Sequence, residues 1–194
     1  MIKKVEEYCR TLLSSSKIQK LSFHNLEHTQ EVVQNVKYIT AAMDINLVDT
    51  NLLVIAAWFH DTGFSKTYKG HEEVSIELAA NFLVKLGVDT NSIQRVCSYI
   101  LATKMPQTPT TKLAEILCDA DIFHTSNLHF YYRKLLLRRE WEVFCDIKMT
   151  DKEWHTFNLE FLENFHFRTS YGIQFLESGK QENVHRVKQI LKYF

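Results

Sequence analysis

The chain has 194 residues, enough for one domain to bury a sizeable core without disulfides or a partner chain. Lysine plus arginine equals aspartate plus glutamate, at 23 each, so no overall basic charge favours a nucleic acid or a membrane surface as partner. The N-terminus lacks the apolar core of a signal peptide and no stretch approaches the roughly 18 apolar residues of a membrane span, so we expect a cytoplasmic protein.

Apolar residues recur at three- and four-residue spacing in almost every segment, which predicts helices throughout the chain. Five glycines and two prolines are too few for a β protein rich in turns. The predicted helices cover, in chain order, residues 2–15, 26–43, 47–60, 72–87, 89–104, 111–125, 127–148, 151–166 and 170–193. Breaks are expected at residues 14–17, 62–70, 87 and 105–111. The pattern therefore predicts an all-α fold.

The predicted helix at 47–60 is almost wholly apolar and contains the unbroken run LVIAAWF. A helix that is apolar on all sides lies at the centre of a bundle. This helix ends in His60 and Asp61, and Gly63 is expected to adopt the left-handed conformation that terminates a helix. The helix dipole disfavours an aspartate at a C-terminus, and a neighbouring cation removes that penalty. His60 and Asp61 are therefore candidate metal ligands.

Two other segments, FHNLEH and CDAD, carry side chains that can bind a metal. In the first, His24 and His28 are four residues apart, and Asn25 is expected to cap the helix that begins there. The positive end of the helix dipole disfavours protonation of His28, which keeps a ring nitrogen available for a metal. In the second, Asp119 and Asp121 flank opposite edges of an apolar stripe, and helical periodicity does not decide which carboxylate enters the core.

The order of the motifs FHNLEHT, AAWFHDTG and CDADIF resembles that of the HD superfamily of metal-dependent phosphohydrolases. The likeness continues in GHEEVSIELAANFL and in YILATK. The tail motifs RREWE, FLENFHFRT and GKQENV resemble a bacterial group of predicted HD phosphohydrolases, so the resemblance spans about residues 21–190. It implies a single compact HD-domain bundle over residues 1–194, with a metal-binding core at about 21–126 and a C-terminal helical extension at about 127–194 packed on it.

The resemblance also implies a metal site. One divalent ion (Mn²⁺, Fe²⁺, Co²⁺, Ni²⁺, Zn²⁺ or Mg²⁺) is expected to be held by four residues: His28, His60, Asp61 and Asp121. Imidazole and carboxylate groups suit divalent first-row metals. Relatives with two metals usually carry extra histidines between the HD pair and the last aspartate. This chain has only His71 in that interval, so one ion is expected.

Further roles follow from the same resemblance. Asp61 is expected to help take a proton from the attacking water, and His24 matches a general acid of cyclic nucleotide phosphodiesterases. Three residues in family-like motifs are expected to bind substrate phosphates: His71, Lys104 and Arg139. Two acidic residues are expected to orient a ligand or a bound water: Asp119 and Glu72.

These features predict a metal-dependent phosphohydrolase acting on a phosphoester or phosphoanhydride of a small metabolite, with a nucleotide as the first candidate. The alternative is an HD-fold module that binds a nucleotide as a signal with little or no turnover. Because the chain keeps all four ligand positions, the enzyme is favoured. A third reading is a helical interaction protein with incidental histidines, which requires no metal. The sequence leaves the oligomeric state open, a homodimer included.

Overall fold

The structure is a computed structural model that describes residues 1–15 and 18–194. The α-helices in this part of the chain are α1 (Ile2–Leu13), α2 (Leu26–Ala42), α3 (Leu47–Phe59), α4 (His71–Lys85), α5 (Thr90–Ala102), α6 (Lys112–Asp121), α7 (Phe130–Phe144), α8 (Asp151–Asn164) and α9 (Glu177–Leu191). Short 3₁₀ turns at Ile18–Lys20, Thr62–Ser65 and Phe123–Ser126 and a π-helical turn at Gly172–Leu176 lie between them. The described residues contain no strand, so the predicted all-α fold is confirmed.

The helix ends differ from the predicted ones by a few residues. The largest difference is at the last helix, predicted from residue 170, because the π-helical turn Gly172–Leu176 precedes α9. Another difference follows Asp121, where α6 ends and a 3₁₀ turn replaces the last predicted turn of α-helix. There the hydroxyl of Thr125 donates to the carbonyl of Ile122 at 2.6 Å, and that of Ser126 to the carbonyl of Phe123 at 2.8 Å. Such local side-chain bonds compete with helix continuation. The break predicted at residues 14–17 falls partly on residues 16 and 17, which lie outside the described residues.

The chain divides into two compact units, Met1–Asp121 and Ile122–Phe194. The first contains α1 to α6 and the second contains α7 to α9. The expectation of one domain whose C-terminal extension begins near residue 127 stays a prediction. None of the helices in the described ranges is long and apolar enough to cross a membrane.

In the first unit, α3 is the central helix, as its composition predicts. It packs against α1, α2, α4, α5 and α6, and every residue from Leu52 to Phe59 is buried. Burying a large apolar side chain contributes about 1.5–3 kcal/mol, so this run is a main source of stability for the unit. The helix starts at an Asn46 cap, whose side chain accepts from the backbone N–H of Asp49, and its first residue, Leu47, is exposed. Its buried end leads directly into His60 and Asp61.

In the second unit, the tail motif GKQENV lies in α9 and packs the unit together. Gly179 approaches the backbone of Ser126 so closely that an added Cβ would lie 1.9 Å from the carbonyl oxygen. Asn183 donates to the carbonyl oxygens of Thr125, at 2.8 Å, and Asn127, at 3.0 Å. These contacts fix α9 against the 3₁₀ turn that begins the unit.

Lys180, in the same motif, is fully buried in the second unit. Its Nζ donates to the carbonyl oxygen of Phe165 at 2.8 Å and pairs with the carboxylate of Glu177 at 2.7 Å. A buried ammonium group needs such partners, because leaving it unpaired would be costly. The lysine of this motif therefore serves the internal packing of the unit.

Candidate metal centre

His28 lies in the first turn of α2, where the sequence starts the helix with an asparagine. The side-chain oxygen of Asn25 accepts from the backbone N–H of His28 at 3.1 Å, and its amide donates to the carbonyl of Ser22 at 3.0 Å. The predicted N-cap is thus confirmed. His28 is buried, and its Nε2 lies 3.1 Å from Oδ1 of Asp121.

His60 and Asp61 follow the buried end of α3. The backbone N–H of His60 still bonds to the carbonyl of Ala56, which continues the helical pattern for one residue. The ring Nδ1 of His60 lies 2.8 Å from the carbonyl oxygen of Ala57. Its Nε2 lies 3.2 Å from Oδ2 of Asp61, and both residues are buried. The central helix thus delivers two polar side chains into the interior of the first unit.

Asp121 is the last residue of α6, and the structure brings its carboxylate to both histidines. Its Oδ1 lies 3.1 Å from Nε2 of His28 and 3.7 Å from Nε2 of His60. Asp119, two residues earlier, is fully buried but does not contribute to this group of close ligand atoms. Both carboxylates thus turn inward, Asp119 more fully, while the packing of α6 against α2 and α3 brings that of Asp121 to the two histidines.

The donor set fits a divalent ion. One ligand atom each from His28, His60 and Asp121 lie within 4.8 Å of one another, and Oδ2 of Asp61 lies 3.5 Å and 3.2 Å from the two imidazole nitrogens. Metal–ligand bonds of about 2.0–2.2 Å place neighbouring ligand atoms about 3 Å apart, which is close to these spacings. Moreover, Nε2 of His60 and Oδ2 of Asp61 are buried and make no well-formed hydrogen bond. A bound cation would satisfy both atoms.

The charges in this cluster are strongly coupled. Burial opposes a charge on His60, but the charge of Asp61 and the contacts with Asp121 outweigh it and raise the pKa of His60 well above its ordinary value. Burial likewise opposes the charge on Asp61, yet the charge of His60 lowers the pKa of Asp61 well below its ordinary value. Burial is also outweighed at Asp121, where the hydrogen bond with His28 and the close imidazole of His60 lower the pKa. Two carboxylates thus stay ionised in the interior and favour a cation between them.

Gly63 allows the turn after Asp61 to lie against α4. An added Cβ would lie 1.9 Å from the carbonyl oxygen of His71, and the backbone N–H of Gly63 donates to Oγ of Ser75 at 2.8 Å. The predicted left-handed conformation at Gly63 is wrong, because the glycines with positive φ are Gly70 and Gly87. Gly63 is needed for close approach of two backbones, not for a left-handed turn.

His71, at the start of α4, lies beside the HD pair. Its Nε2 is 3.5 Å from Oδ1 of Asp61, while its Nδ1 is 3.3 Å from the carbonyl oxygen of Tyr68 and 3.5 Å from Oε2 of Glu72. Glu72 is buried, and it faces the ring nitrogen of His71 that does not face Asp61. In this arrangement Glu72 can orient the ring of His71, which in turn contacts the carboxylate of Asp61.

His24 lies near the cluster and packs on an aromatic residue that the motifs did not point to. The ring of Phe64 stacks on His24 with centroids 4.5 Å apart, and on His71 with centroids 3.7 Å apart. The rings of His24 and His28 are 6.0 Å apart. His24 is partly exposed and Phe64 is buried, so Phe64 supports both histidines from the interior. In the sequence, Phe64 could have been found only from its position three residues after Asp61.

Lys104 and Arg139, both expected to bind phosphate, occupy different places. Lys104 follows α5, is exposed and forms an ion pair with Glu73 of α4. Arg139 is exposed on α7, in the second unit. Their roles in binding substrate stay predictions.

Two amide side chains that the sequence motifs did not include hold the end of α6. Asn35 donates from Nδ2 to the carbonyl oxygen of Ala120 at 3.0 Å, and Gln107 donates from Nε2 to that of Cys118 at 3.3 Å. Asn35 lies two helical turns after His28, at the edge of the apolar stripe of α2. A polar residue at that edge was the only feature of the sequence that pointed to a buried contact there.

Comparison with known families agrees with this geometry. The HD domain family matches residues 25–126, which is more than half of the chain and includes His28, His60, Asp61 and Asp121. The chain belongs to the HD superfamily. The resemblance to the HD superfamily is thus confirmed over residues 25–126, and members of this family are generally metal-dependent hydrolases, while the resemblance of the tail motifs to one bacterial group stays a prediction. Neither a curated protein nor a solved structure matches the chain.

Proposed function

We propose that this HD protein is an enzyme, a metal-dependent phosphohydrolase that cleaves a phosphoester or phosphoanhydride of a small metabolite, with nucleotides as the preferred substrate class. The observation that carries the proposal is the group formed by the buried His28, His60 and Asp61 and the half-buried Asp121, in which Nε2 of His60 and Oδ2 of Asp61 lack well-formed hydrogen bonds. A packing role does not explain such atoms, because burying polar atoms without well-formed hydrogen bonds is unfavourable.

One divalent ion held by these four residues would lower the pKa of a bound water and polarise a phosphoryl oxygen. The two carboxylate oxygens of Asp61 face different groups. Oδ2 lies near the imidazoles of His28 and His60, whereas Oδ1 lies 3.5 Å from Nε2 of His71. We assign Oδ1 as the atom that accepts the proton of the attacking water, with His71 holding the carboxylate in place.

His24 is the residue we assign to protonate the leaving oxygen. It is partly exposed and lies beside His28, outside the group of ligand atoms, so it can reach a substrate without binding the ion. Stacking on Phe64 fixes the plane of its ring. A positioned imidazole with a pKa near neutrality suits this task.

Nucleotides are preferred because the aromatic ring of Tyr68 lies beside that of His24, and because the cationic side chain of Lys104 is held by Glu73 of the helix that begins with His71. Tyr68 is partly exposed, and its ring centroid lies 6.4 Å from that of His24, so it offers a surface on which a base can stack. Lys104 is exposed beside Glu73, and substrate phosphate would compete with that carboxylate for its ammonium group. We also assign His71 to phosphate, and the expected role of Arg139 stays a prediction. A cytoplasmic location and a homodimer remain part of the proposal.

The experiment combines elemental analysis with a substrate panel. The purified protein is analysed for divalent metals and then assayed with Mn²⁺ on nucleoside mono-, di-, tri- and cyclic phosphates, with Asp61→Asn as the inactive control. Release of phosphate or of a nucleoside phosphate by the wild type alone supports the enzyme. Tight binding of a nucleotide without turnover supports the sensing alternative and contradicts the enzyme. Absence of both metal and turnover contradicts both and favours an interaction protein.

A further inference from the structure

Two polar contacts join α2 to the C-terminal end of α6. The first is between Nε2 of His28 and Oδ1 of Asp121, at 3.1 Å, and both residues belong to the candidate metal centre. The second is the bond from Nδ2 of Asn35 to the carbonyl oxygen of Ala120, at 3.0 Å. The two contacts connect the same pair of helices through neighbouring residues of α6. Both contacts therefore influence the position of Asp121 relative to His28.

The carbonyl group of Ala120 needs a partner from outside its own helix. It is one of the last four carbonyl groups of α6, which ends at Asp121. These groups receive no hydrogen bond from an N–H of their own helix. Asn35 supplies the missing donor from α2. Because the bond is made to the backbone, it fixes the helix end itself rather than one side-chain rotamer. Asp121 is the next residue, so its Cα is fixed as well.

Asn35 and His28 lie on the same side of α2. They are seven residues apart, which is two turns of a helix with 3.6 residues per turn. The contact made by His28 involves a candidate ligand atom, whereas the contact made by Asn35 involves none. Asn35 is thus placed to set the separation of α2 and α6 independently of the ligand atoms.

We infer that Asn35 is a positioning residue of the metal centre, which holds Asp121 at the correct distance from His28 through the backbone of Ala120. This inference rests on the proposed metal site and assigns a role to a residue outside the ligand set. Replacing groups that orient metal ligands typically weakens metal binding about 10- to 100-fold. We expect a loss of that size when the amide of Asn35 is removed.

The test uses two substitutions at this position in the full-length protein. Asn35→Leu keeps the approximate size of the side chain and removes the donor. Asn35→Gln keeps the amide donor on a side chain that is one methylene longer. Gln34→Ala, at the exposed neighbouring position of α2, controls for a change in the helix itself. Asn158→Ala controls for loss of a buried amide bond elsewhere, since Asn158 donates to the carbonyl of Trp154 in the second unit.

Two measurements are made on each variant, together with its free energy of unfolding. The first is the affinity for Co²⁺, by competition with a chelator and from the visible absorption of the bound ion. The second is the side-chain ¹⁵N NMR signal of His28 in metal-free protein, assigned with His28→Gln. The NMR signal reports the contact between His28 and Asp121 without any metal or activity, so it tests Asn35 even if the chain is not a hydrolase.

We expect Asn35→Leu to bind Co²⁺ about 10- to 100-fold more weakly and to shift the His28 signal, and Asn35→Gln to recover part of both. Gln34→Ala and Asn158→Ala should leave affinity and signal unchanged. The inference is overturned if Asn35→Leu leaves the His28 signal unchanged, or if Asn158→Ala weakens Co²⁺ binding as much at equal loss of stability. A wild type that binds no Co²⁺, yet shows the expected NMR shift in Asn35→Leu, contradicts the proposed function and retains the link to Asp121.

Discussion

His60 is tied by its ring to the helix that carries it, because Nδ1 lies 2.8 Å from the carbonyl oxygen of Ala57, one turn earlier. A carbonyl oxygen only accepts hydrogen bonds, so Nδ1 carries the hydrogen and Nε2 is the nitrogen left for a metal. The helix backbone thereby selects both the tautomer and the ring orientation that a metal ligand needs. The same nitrogen faces the carboxylates of Asp61 and Asp121.

The two aspartates of CDAD provide a matched pair for testing the ligand set. Asp121→Asn should weaken binding of Mn²⁺ or Co²⁺ by more than about 100-fold, because the charge next to His28 is lost. Asp119→Asn changes the same chemical group two residues earlier on α6, outside the group of ligand atoms, and should cost less, at most about the 10- to 100-fold typical of a group that orients a ligand. Isothermal titration calorimetry on both variants measures the difference, and unfolding curves show whether each variant is folded. Equal losses at the two positions would contradict the assignment of Asp121.

The sequence predicted some parts of this site better than others, for physical reasons. His60 and Asp61 were predictable because the unbroken apolar run before them, in a chain of helical periodicity, is typical of a buried helix, whose end delivers side chains to the interior. Asp121 was not predictable from periodicity, since both carboxylates flank the same stripe and only packing against α2 and α3 selects one of them.

Gly63 shows a different limit of local sequence patterns. A glycine soon after a helix is typical of a left-handed cap, but it is equally typical of close backbone contact. The choice depends on α4, which lies next to Gly63 only after the chain has folded. Phe64 and Asn35 were missed for a similar reason, because their partners His71 and Ala120 are set by tertiary contacts.

Metal affinity should increase with pH. Burial opposes a charge on His60, but the charge of Asp61 raises the pKa of His60 well above its ordinary value of 6.5. The ring of the metal-free protein therefore carries a second proton, on Nε2, at neutral pH. A metal must displace that proton, and raising the pH removes the competition. Calorimetry of Mn²⁺ binding between about pH 6 and 8, in buffers of different ionisation enthalpy, should show proton release and tighter binding at higher pH. Binding that is independent of pH and releases no proton would contradict this coupling.

Stability of the metal-free protein should follow the opposite trend at high pH. A raised pKa at His60 stabilises the fold fully below 6.5, and this contribution is lost as the pH rises through the pKa of the folded state. The lowered pKa values of Asp61 and Asp121 stabilise it above their ordinary value of 3.8, and that contribution is lost as the pH falls through their folded values. Denaturant unfolding with a chelator present should therefore show the largest contribution of this cluster between pH 3.8 and 6.5. A cluster contribution that grows steadily above that range would contradict the raised pKa.

Gly63→Ala should damage the site as well as the fold. The added Cβ would lie 1.9 Å from the carbonyl oxygen of His71 and 2.9 Å from the backbone nitrogen of Ser75, so α4 must move away from the HD pair. Overpacking of this kind costs about 1–3 kcal/mol, measured as a change in the free energy of unfolding. The displacement should also lower kcat, because His71 would lose its contact with Asp61.

Gly87→Ala is the control for that substitution. Gly87 has positive φ and no atom within 4 Å of an added Cβ, so alanine there strains the backbone at a cost of about 1–2 kcal/mol without touching the site. The two variants should thus have comparable stability, while only Gly63→Ala loses activity measured at a temperature where both are folded. Equal kcat in the two variants would show that the contact between the HD turn and α4 serves stability alone.

His24→Phe should separate proton donation from metal binding. The phenyl ring can keep the stacking on Phe64, but it has no proton to give to the leaving oxygen. General acid catalysis typically contributes about 10²- to 10⁴-fold, and it matters most when the leaving group is a poor one. The variant should therefore lose about 100-fold or more in kcat on an alkyl or nucleoside ester and far less on a nitrophenyl ester, with Co²⁺ affinity unchanged. His185→Phe, at an exposed position of α9, is the control and should leave both rates unchanged. An equal loss on the two esters would mean that His24 acts in binding or packing, because only a proton donor discriminates between leaving groups.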